Sequence, residues 1–582
     1  AGTDHFYIVG PTIVDADRRE RVGYVEIRDG RIAAIADGTP DRSAPRIDAR
    51  GRFLTPGLVD PHVHLNLSGA TRWPGSALKT NLRANLYWGV TGVMDLGGPE
   101  VLFDVREAAR RGEILAPALR LTGPFLTVPG SHPCEAINDQ RQCEFVDRDS
   151  LRPAADCLAS RGADAVKIAL ADAEPFPWSA PRMDPDWLGS LSSLKTPLAA
   201  HVNSQRDLEA ARRHGVEILA HPTFTATLDA AGLRSAKGAR GVHTTISAFG
   251  SIVDLVDGET DLDRQGLLVA SGVEQNWRTI RRNPDLLRDG FLQASRSWVD
   301  NARENVERLR DAGATVVPAS DAGYLAVPHG LGLHRELRLL SEHGWSDEKL
   351  LAAATRGARR LTGIPGGTVS EGAPADLVVL REDPAADIAH LSEIDWLLRG
   401  GAAYRRGELL DADLTAGRSV GGGEVCLDSG DCETGLACDP YDHLCRPSCS
   451  PAYAIQNRCG ADAYCQPVDV APSISEAAVC HPTRTCQLDD PACSPGAYAE
   501  NCRPLDADTN GCVTSGDSQV GESCTVGSPT EACAEGLYCS PLDQTCYRLC
   551  DPEEADPGCR AGRTCRWQRT PAGRNWFGLC VK

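Results

Sequence analysis

Between residues 56 and 365, short apolar runs alternate with helical patterns, and this alternation constrains the fold more than any other feature. The runs include "GVTGVMDL", "ADAVKIAL", "TPLAAHV", "VEILAHP" and "ATVVPASD", whereas "DLEAARRHG" and "NVERLRDAG" are typical of helices. Strands that alternate with helices over such a length indicate a parallel sheet, either a closed barrel or a doubly wound sheet. The predicted fold class is therefore α/β.

Both flanks of this region carry strand patterns. Residues 5–55 alternate apolar and polar side chains in "FYIVGPTIVD", "RVGYVEIRDG" and "RIAAIADG", with Asp-Gly-type turns, which predicts a small antiparallel sheet. Residues 366–410 return to strand patterns in "GGTVSEGAPADLVVLRED". A sheet that breaks off at residue 55 and resumes at residue 366 predicts one composite β-sandwich domain, built from residues 1–55 and 366–412.

The cysteines are unevenly distributed. Only Cys134, Cys143 and Cys157 come early, and the other 20 of the 23 cysteines lie at or beyond Cys426. A dense, even set of cysteines in a Gly/Pro/Asp-rich context is typical of a disulfide framework, which needs an oxidising compartment. We therefore expect a secreted or cell-envelope protein with a cysteine-rich region at residues 426–582.

The cysteine-rich region contains an internal repeat. The segments "DCETGLACDPYDHLCRPSC" and "ACAEGLYCSPLDQTCYRLC" share the spacing C-x5-C-x6-C-x3-C, and further cysteines extend the match. Two disulfide-stapled modules are predicted, at about residues 426–486 and 524–580, although the spacing does not reveal which cysteines pair. Before them, "TAGRSVGGGEV" predicts a flexible linker over residues 413–425.

Charge and hydropathy argue against two kinds of partner. The net charge is −20, whereas a surface that binds phosphates is basic, so a nucleic-acid partner is not expected. A membrane-spanning helix needs roughly 18–20 apolar residues in succession, and no run approaches that length. We expect neither a nucleic-acid partner nor a membrane span.

The stretch "LVDPHVHL" ends an apolar run with His62 and His64. On a β-strand, residues i and i+2 point to the same side, so the two imidazoles aim at one point while Val63 faces away. At the end of a barrel strand, that point is the mouth where active sites form. Because imidazole is the commonest metal ligand, the pair is either a metal-binding motif or two ordinary surface histidines.

Four further runs end in, or contain, a residue of ligand type. These residues are Lys167 in "ADAVKIAL", His201 in "PLAAHVNS", His221 in "VEILAHPT" and Asp321 in "ATVVPASDAG". A lone buried ammonium tends to lose its charge, whereas a lysine carbamylated by carbon dioxide becomes a carboxylate that can bridge two cations. A lysine that snorkels from its strand end is the alternative. Each residue alone is more often structural, but five such strand ends in order indicate a metal site.

Together these motifs resemble the amidohydrolase superfamily, and within it the imidazolonepropionase-like and prolidase-like metal-dependent hydrolases. The likeness covers residues 5–410 and lies in "LTPGLVDPHVHL", "GVTGVMDLGG", "GPFLTVPGSH", "DAVKIAL", "AAHV", "EILAHP", "SDAGYLAVPHGLGLHREL", "LLAAATRGARRLTGI" and "EGAPADLVVLREDP". The order and spacing of the motifs agree with the flanking β domain. The chain departs from the family in "ASDAG", "GSH" and "HPT", and none of these changes removes a metal ligand.

The resemblance implies a (β/α)8 TIM barrel over residues 56–365, a split β-sandwich and two divalent metal ions, usually zinc. It implies that His62 and His64 hold the more buried ion, that carbamylated Lys167 bridges the pair, and that His201 and His221 hold the second ion. Asp321 would contact a metal and the attacking water. A metal lowers the pKa of bound water to about 7 and so supplies hydroxide, while Asp321 would act as the catalytic base.

Substrate contacts are expected from loops near these strand ends. The resemblance places His132, in "PGSHPC", near the pocket, although a solvent-exposed loop histidine is the alternative. Tyr324 and His329 follow Asp321 on a loop where specificity contacts are common. His243, in "GVHTTISA", is either a pocket residue or an ordinary strand-end histidine.

One disulfide and one free thiol are expected among the early cysteines. Cys134 and Cys143 flank a loop just beyond His132, and a disulfide between them would pin that loop. Cys157 is then the odd cysteine, and we expect it to be buried and free.

The leading functional hypothesis is a secreted, metal-dependent hydrolase of a C–N amide bond, in a dipeptide or an N-acyl amino acid. The first alternative is an enzyme that hydrolyses a cyclic amide, a lactone or a phosphoester at the same site. The second is a non-catalytic surface protein that acts through its cysteine-rich tail, which the intact ligand set disfavours. The role of the tail stays open: it anchors the protein to a surface, binds a surface partner, or only protects and spaces the enzyme.

Overall fold

The computed structural model divides into two compact units, Ala1–Gly417 and Arg418–Lys582. In the first unit the described residues are 5–41, 43–69, 77–134, 142–170, 182–262, 268–269, 273–287, 290–410, 412–415 and 417. In the second unit they are 419–422, 424–434, 436–438 and 443–445, together with the backbone of the short strands named below.

The strands of the first unit occur in three groups along the chain. The first group is β1 (His5–Val9), β2 (Thr12–Val14), β3 (Arg19–Arg21), β4 (Tyr24–Arg28), β5 (Arg31–Ala36), β6 (Arg46–Asp48) and β7 (Phe53–Pro56). The second group is β8 (Leu58–Val63), β9 (Val90–Asp95), β10 (Ala118–Leu121), β11 (Phe125–Thr127), β12 (Cys143–Phe145), β13 (Val166–Leu170), β14 (Leu198–Val202), β15 (Ile218–Ala220), β16 (Gly241–His243) and β17 (Val316–Val317). The third group is β18 (Leu377–Leu380), β19 (Ile394–Arg399) and β20 (Ala402–Arg405).

Helices separate most strands of the second group and follow it. The described α-helices are α1 (Leu78–Tyr87), α2 (Val101–Arg110), α3 (Leu151–Ser160), α4 (Gln205–Arg213), α5 (Ala230–Lys237), α6 (Ile246–Asp257), α7 (Val273–Arg282), α8 (Phe291–Asp311), α9 (Leu331–Glu342), α10 (Asp347–Ala352) and α11 (Ala358–Thr362). Among the helices in the described part of the chain, none combines the length and the apolar composition needed to cross a membrane.

The first and third groups of strands form two sheets that share one core. Their orders are β5-β4-β1-β6 and β20-β19-β18-β7-β2-β3, and side chains of both sheets, such as Ile8 and Val379, belong to one buried cluster. The sequence predicted antiparallel pairing for residues 5–55, which is wrong for two pairs, because β6 runs parallel to β1 and β2 runs parallel to β7. The two strands of each pair are joined by a long connection that returns the chain to the same end of the sheet, and such a connection allows parallel pairing.

The second group of strands confirms the predicted α/β class with a parallel sheet. These strands form a three-stranded sheet, β10-β9-β8, and a seven-stranded sheet, β12-β11-β13-β14-β15-β16-β17. Every strand pair described within them is parallel. Helices connect most of the strands because parallel neighbours need a crossover between them.

Backbone hydrogen bonds join the two parallel sheets on both sides. On one side the N–H of Asp321, just beyond β17, donates to the carbonyl of His62 on β8 at 2.9 Å. On the other side the N–H of Asp164, just before β13, donates to the carbonyl of Leu121 on β10 at 2.8 Å. The carboxyl end of β8 therefore lies beside the segment that follows β17, although these residues are distant in sequence.

A buried apolar layer lies beneath the carboxyl ends of the parallel strands. It includes Val59, Met94, Ala165, Ala199, Ile218, Ala220 and Val317, from six different segments of the two sheets. Side chains two residues apart on a strand share one face, so Lys167 follows Ala165 and His201 follows Ala199 toward the same interior. The apolar layer thus lies directly beneath Lys167 and His201, which are two residues further along their strands.

The early cysteines include one correct and one wrong prediction. Cys134 and Cys143 form the expected disulfide and pack with Phe125 and Phe145. Cys157, which we expected to be buried and free, is instead half-buried on α3 and disulfide-bonded. The prediction failed because pairing by sequence separation alone left it as the odd cysteine among three.

The second unit contains two strand sets of the same order. Its strands are β21 (Leu436–Cys438), β22 (Cys445–Cys449), β23 (Ala463–Pro467), β24 (Ala478–Pro482), β25 (Glu500–Pro504), β26 (Asn510–Thr514), β27 (Leu537–Cys539), β28 (Cys546–Cys550), β29 (Thr564–Arg569) and β30 (Asn575–Val581). The orders β21-β22-β24-β23 and β27-β28-β30-β29 correspond strand for strand, which agrees with the repeat in the sequence.

The described disulfides of the second unit interlock. Cys426 pairs with Cys438 and Cys432 pairs with Cys445, so each bridge encloses one end of the other. Val420, within the segment predicted as a linker, packs against these cysteines and pairs with Cys432 in an isolated bridge. Part of the predicted linker is therefore ordered against the first module.

Candidate metal centre

His62 and His64, at the carboxyl end of β8, both face the carboxylate of Asp321. Nε2 of His62 lies 3.2 Å from Oδ1 of Asp321, and Nε2 of His64 lies 3.1 Å from the same oxygen. The two imidazole centroids are 5.3 Å apart, and all three side chains are buried. Two nitrogens and a carboxylate oxygen therefore converge on one point, as the His-x-His pattern predicts.

These distances fit a shared cation. Two ligand atoms bound to zinc at about 2.0–2.2 Å in tetrahedral geometry lie about 3.3 Å from each other. Within the described part of the chain, Oδ1 of Asp321 has no partner in hydrogen-bond geometry, in spite of the two nitrogens beside it. Buried polar atoms are normally paired, so an unpaired carboxylate oxygen between two imidazoles fits a site that holds a metal.

His201 and His221 form a second pair at the ends of β14 and β15. Nδ1 of His201 lies 3.0 Å from Nε2 of His221, and the ring centroids are 4.6 Å apart. Both rings are buried, and Nε2 of His201 has no partner among the described residues. Two imidazole nitrogens at this separation can bind the same divalent ion.

The two pairs adjoin each other. One nitrogen from each of His62 and His221 and one carboxylate oxygen of Asp321 all lie within 4.8 Å of one another. The ring centroids of His62 and His221 are 5.3 Å apart. The side chains of the two pairs therefore form one continuous candidate site.

Lys167 is the remaining residue of the predicted ligand set, and it is fully buried on β13. Nζ has no hydrogen-bond partner within the described residues and lies 5.9 Å from the centroid of the Phe125 ring. Burial lowers the pKa of Lys167 to about 7, although the carboxylates of Asp321 and Asp95 oppose this shift. An amine in this state is partly neutral near pH 7, and only a neutral amine reacts with carbon dioxide.

The electrostatics of the centre favour neutral imidazoles and an ionised carboxylate. Burial lowers the pKa of His62 and His201 well below its usual value and lowers that of His221 to about 3. Burial also tends to raise the pKa of Asp321, but the imidazoles of His64 and His221 and the Lys167 ammonium outweigh it, and the pKa is lowered. Neutral imidazole and anionic carboxylate are the forms that bind metals.

Several residues of the centre have left-handed backbone conformations that non-glycine residues rarely adopt. The φ angles are 79° for His221, 61° for Thr223, 39° for Thr245 and 60° for Asp321. Such conformations cost about 1–3 kcal/mol each and persist only where the surroundings hold them. Their concentration at these strand ends marks the site as a place where side-chain direction outweighs backbone preference.

The three residues predicted to contact the substrate lie in surroundings that differ from one another. His132 is buried, with its ring centroid 5.2 Å from that of His201. Tyr324 is half-buried and packs edge-on against Phe249. His329 is buried, and its Nε2 donates to the carbonyl of Leu67 at 2.9 Å, which leaves Nδ1 as its unpaired atom within the described residues.

His243, for which the sequence left two interpretations open, belongs to the interior of the site. Its ring centroid is 5.3 Å from that of His62, and neither ring nitrogen has a partner in the described structure. Burial lowers the pKa of His243 to about 3. The position at the end of β16 was visible in the sequence, but nothing there distinguished the inward from the outward face.

Two buried carboxylates beside the ligands were missed by the sequence analysis. Asp60 accepts hydrogen bonds from the N–H and the hydroxyl of Ser320, at 3.1 and 2.5 Å, and from the N–H of His62 at 3.3 Å. Asp95 accepts from the N–H of Leu65 at 2.6 Å. Asp95 ends β9, so the rule that identified the strand-end histidines would have identified it as well, whereas Asp60 lies within β8, two residues before His62.

Comparison with known proteins finds one sequence relative and two structural neighbours of particular interest. Over 416 residues the chain is 26% identical to a dihydroorotase of Anaeromyxobacter dehalogenans, a match that covers 66% of this chain and 90% of that enzyme. A Xaa-Pro dipeptidase with methionine bound in its active site superposes with a TM-score of 0.54 at 18% identity, over 69% of this chain and 100% of the other. The ochratoxinase of A. niger gives a TM-score of 0.54 at 18% identity, over 72% and 99%.

The two structural likenesses concern the fold, since their sequence identities are low. The family assignment comes from the sequence itself, in which residues 53–401 match the amidohydrolase family. This match covers more than half of the chain and includes the six predicted ligand residues. The protein therefore belongs to the amidohydrolase family.

Proposed function

We propose that this protein is a two-metal hydrolase that cleaves the C–N amide bond of a dipeptide or an N-acyl amino acid. The proposal depends mainly on one observation: six side chains of metal-binding type, from distant parts of the sequence, lie buried in one interior region. These are His62, His64, Lys167, His201, His221 and Asp321. We further propose that the strands of residues 56–365 close into a (β/α)8 barrel, which the bonds between the two parallel sheets support.

Each ion has its own set of ligands in this proposal. His62, His64 and Asp321 would hold one ion, and His201 and His221 would hold the other. Divalent ions held by these residues, zinc in this proposal, would lower the pKa of water to about 7 and would polarise the scissile carbonyl. The donor set of imidazoles and carboxylates is one that zinc binds.

Asp321 is the proposed catalytic base. Its lowered pKa keeps the carboxylate ionised near neutral pH, and it lies within 3.2 Å of the imidazoles of two proposed ligands. From that position it can accept a proton from the attacking water and pass it to the leaving nitrogen. Its left-handed backbone conformation aims the carboxylate into the site, while its own N–H donates to the carbonyl of His62 on β8.

Lys167 is proposed to act as a carbamate between the two ions. A buried ammonium beside two cations would repel them, whereas the carbamate formed with carbon dioxide is an anion with two oxygens. The unpaired Nζ and the lowered pKa of Lys167 support this proposal. Phe125 packs beside Nζ and also lies 5.5 Å from the ring of His64, so it limits the approach of water.

A cyclic amide is the second candidate substrate. The dihydroorotase relative supports it, because the similarity covers 90% of that enzyme's length. The fold shared with a Xaa-Pro dipeptidase and an ochratoxinase supports the linear amide instead. We propose His132, whose ring centroid lies 5.2 Å from that of His201, and Tyr324, three residues after Asp321, as contacts for whichever substrate binds.

The disulfides support a secreted or cell-envelope location. Three described pairs, Cys134–Cys143, Cys426–Cys438 and Cys432–Cys445, occur in both units of the chain. Disulfides of this number persist in oxidising compartments and are rare in the cytosol.

The proposed function is tested by metal removal and substrate screening. The full chain is treated with a chelator, reloaded with zinc and assayed against dipeptides, N-acyl amino acids and cyclic amides. We expect turnover of one class that disappears with the chelator and returns with zinc. Asp321→Asn should abolish turnover, while Asp285→Asn, which changes an exposed carboxylate, should not. Absence of turnover in the zinc-loaded protein would favour the non-catalytic alternative.

A further inference from the structure

Glu336 is a fully buried carboxylate outside the ligand set. It lies on α9 and accepts hydrogen bonds from the first backbone N–H groups of α6, those of Ile246 at 2.9 Å and Ser247 at 2.7 Å. A buried carboxylate needs such donors, and the N-terminus of a helix favours negative charge. Glu336 therefore fixes the position of the N-terminus of α6 in the interior of the protein.

Thr245 immediately precedes α6 and faces the second ligand pair. Its φ angle of 39° is unusual for a β-branched residue, and its N–H donates to the carbonyl of Ala319 at 3.2 Å. Its hydroxyl oxygen lies 2.9 Å from Nδ1 of His221. Because Glu336 holds the two residues that follow, Thr245 is kept in the conformation that aims its hydroxyl at this ring.

The hydroxyl of Thr245 determines which nitrogen of His221 is available. A hydroxyl that accepts the Nδ1 proton leaves the lone pair of the other nitrogen free, and Nε2 of His221 is the atom that faces His201. Partners of this kind fix the tautomer and orientation of a ligating histidine. Thr245 thus prepares His221 for the second ion.

A separate path leads from the same helix end to the first ion. The hydroxyl of Ser247 donates to the carbonyl of Ser320 at 3.1 Å. The N–H of Ser320 donates to Asp60, which also accepts from the N–H of His62. Ser320 directly precedes Asp321, so this path reaches two ligands of the first ion.

We infer that Glu336 is a positioning residue for the ligands of both ions. We infer that Thr245 is a positioning residue only for the second ion, through His221. The inference rests on the proposed function, because it assigns these residues a role in holding the ions proposed there. If Glu336 and Thr245 had a purely structural role, replacing them would lower the stability of the protein. The number of bound ions and the affinity for each ion would not change.

The test compares zinc binding in full-length variants, by calorimetric titration of the metal-free protein and by elemental analysis of the zinc-loaded protein. Thr245→Val removes the hydroxyl and keeps the shape of the side chain, whereas Thr245→Ser keeps the hydroxyl. Glu336→Gln weakens the cap of α6, and Glu342→Gln changes an exposed carboxylate on the same helix as a control. Thermal unfolding of each variant is measured in parallel.

We expect Thr245→Val to bind the first ion as the wild type does and the second about 10–100-fold more weakly, the usual loss when a partner of a ligating histidine is removed. Thr245→Ser and Glu342→Gln should bind both ions normally, and Glu336→Gln should bind both more weakly. If Glu336→Gln does not fold, the two Thr245 variants decide.

Two results would overturn the inference in different ways. Two ions bound by Thr245→Val with wild-type affinities would contradict this inference and leave the proposed function intact. A wild-type protein that binds no divalent ion would contradict both.

Discussion

Replacing Asn305 with alanine should loosen the segment that follows His221. Asn305 is fully buried on α8, and its side-chain oxygen accepts from the N–H of Leu228 at 2.7 Å. Its amide group donates to the carbonyl and hydroxyl oxygens of Thr223, both at 3.1 Å, and to the carbonyl of Ala226 at 2.9 Å. One side chain thus holds most of the loop after β15.

The expected effect can be calculated from these bonds. Each hydrogen bond contributes about 1 kcal/mol net, and the partners left unpaired in a buried place add to the cost. The loss of four bonds corresponds to about 3–4 kcal/mol, and since 1.4 kcal/mol is a factor of ten, local opening should become about 300-fold more frequent. Asn305→Asp should open the loop at least as much, because a second oxygen would face the carbonyls of Thr223 and Ala226.

Hydrogen exchange measured by mass spectrometry on peptides covering residues 222–229 is the assay. Asn301→Ala is the matched control, since Asn301 lies one turn earlier on α8 and makes a single described bond to this segment, to the carbonyl of Phe224 at 3.0 Å. Its loss should increase exchange only about fivefold. Equal exchange in Asn305→Ala and Asn301→Ala would refute the argument.

Three further predictions concern pH, the early disulfide and Lys167. Burial lowers the pKa of His329 from 6.5 to about 4, so the unfolded chain binds a proton there before the folded protein does. Stability should therefore fall by up to about 3 kcal/mol as the pH decreases from 6.5 to 4, and thermal unfolding of metal-free His329→Gln should depend less on pH. Replacing Cys134 and Cys143 with alanine opens a loop of sequence separation 9 and should cost about 2–3 kcal/mol in thermal or denaturant unfolding. Zinc-free protein reloaded in buffer free of carbon dioxide should take up fewer than two ions, and bicarbonate should restore the second; full uptake without carbon dioxide would contradict carbamylation of Lys167.

The parts of the site that follow strand rules could be predicted from the sequence. His62 and His64 share one face because they are two residues apart on a strand, and their rings lie 5.3 Å apart in the structure. Lys167 and His201 follow the same rule above the apolar layer formed by Ala165 and Ala199. These features depend on local periodicity, which the sequence displays directly.

The supporting contacts could not be predicted, because they join residues that are distant in sequence. Glu336 reaches the start of α6 across 90 residues, and no pattern around it differs from that of an ordinary helix surface. The parallel pairing of β1 with β6 depends on how the connections between strands are routed. Cys157 shows the same limit, since sequence separation does not determine which cysteines pair.

Anomalous diffraction at the zinc absorption edge, from crystals of the zinc-loaded full-length protein, tests the central claim most directly. Our account predicts two peaks within one site, the first beside His62, His64 and Asp321 and the second beside His201 and His221, with extra density on Nζ of Lys167. Absence of peaks there, or peaks only elsewhere on the chain, would contradict it.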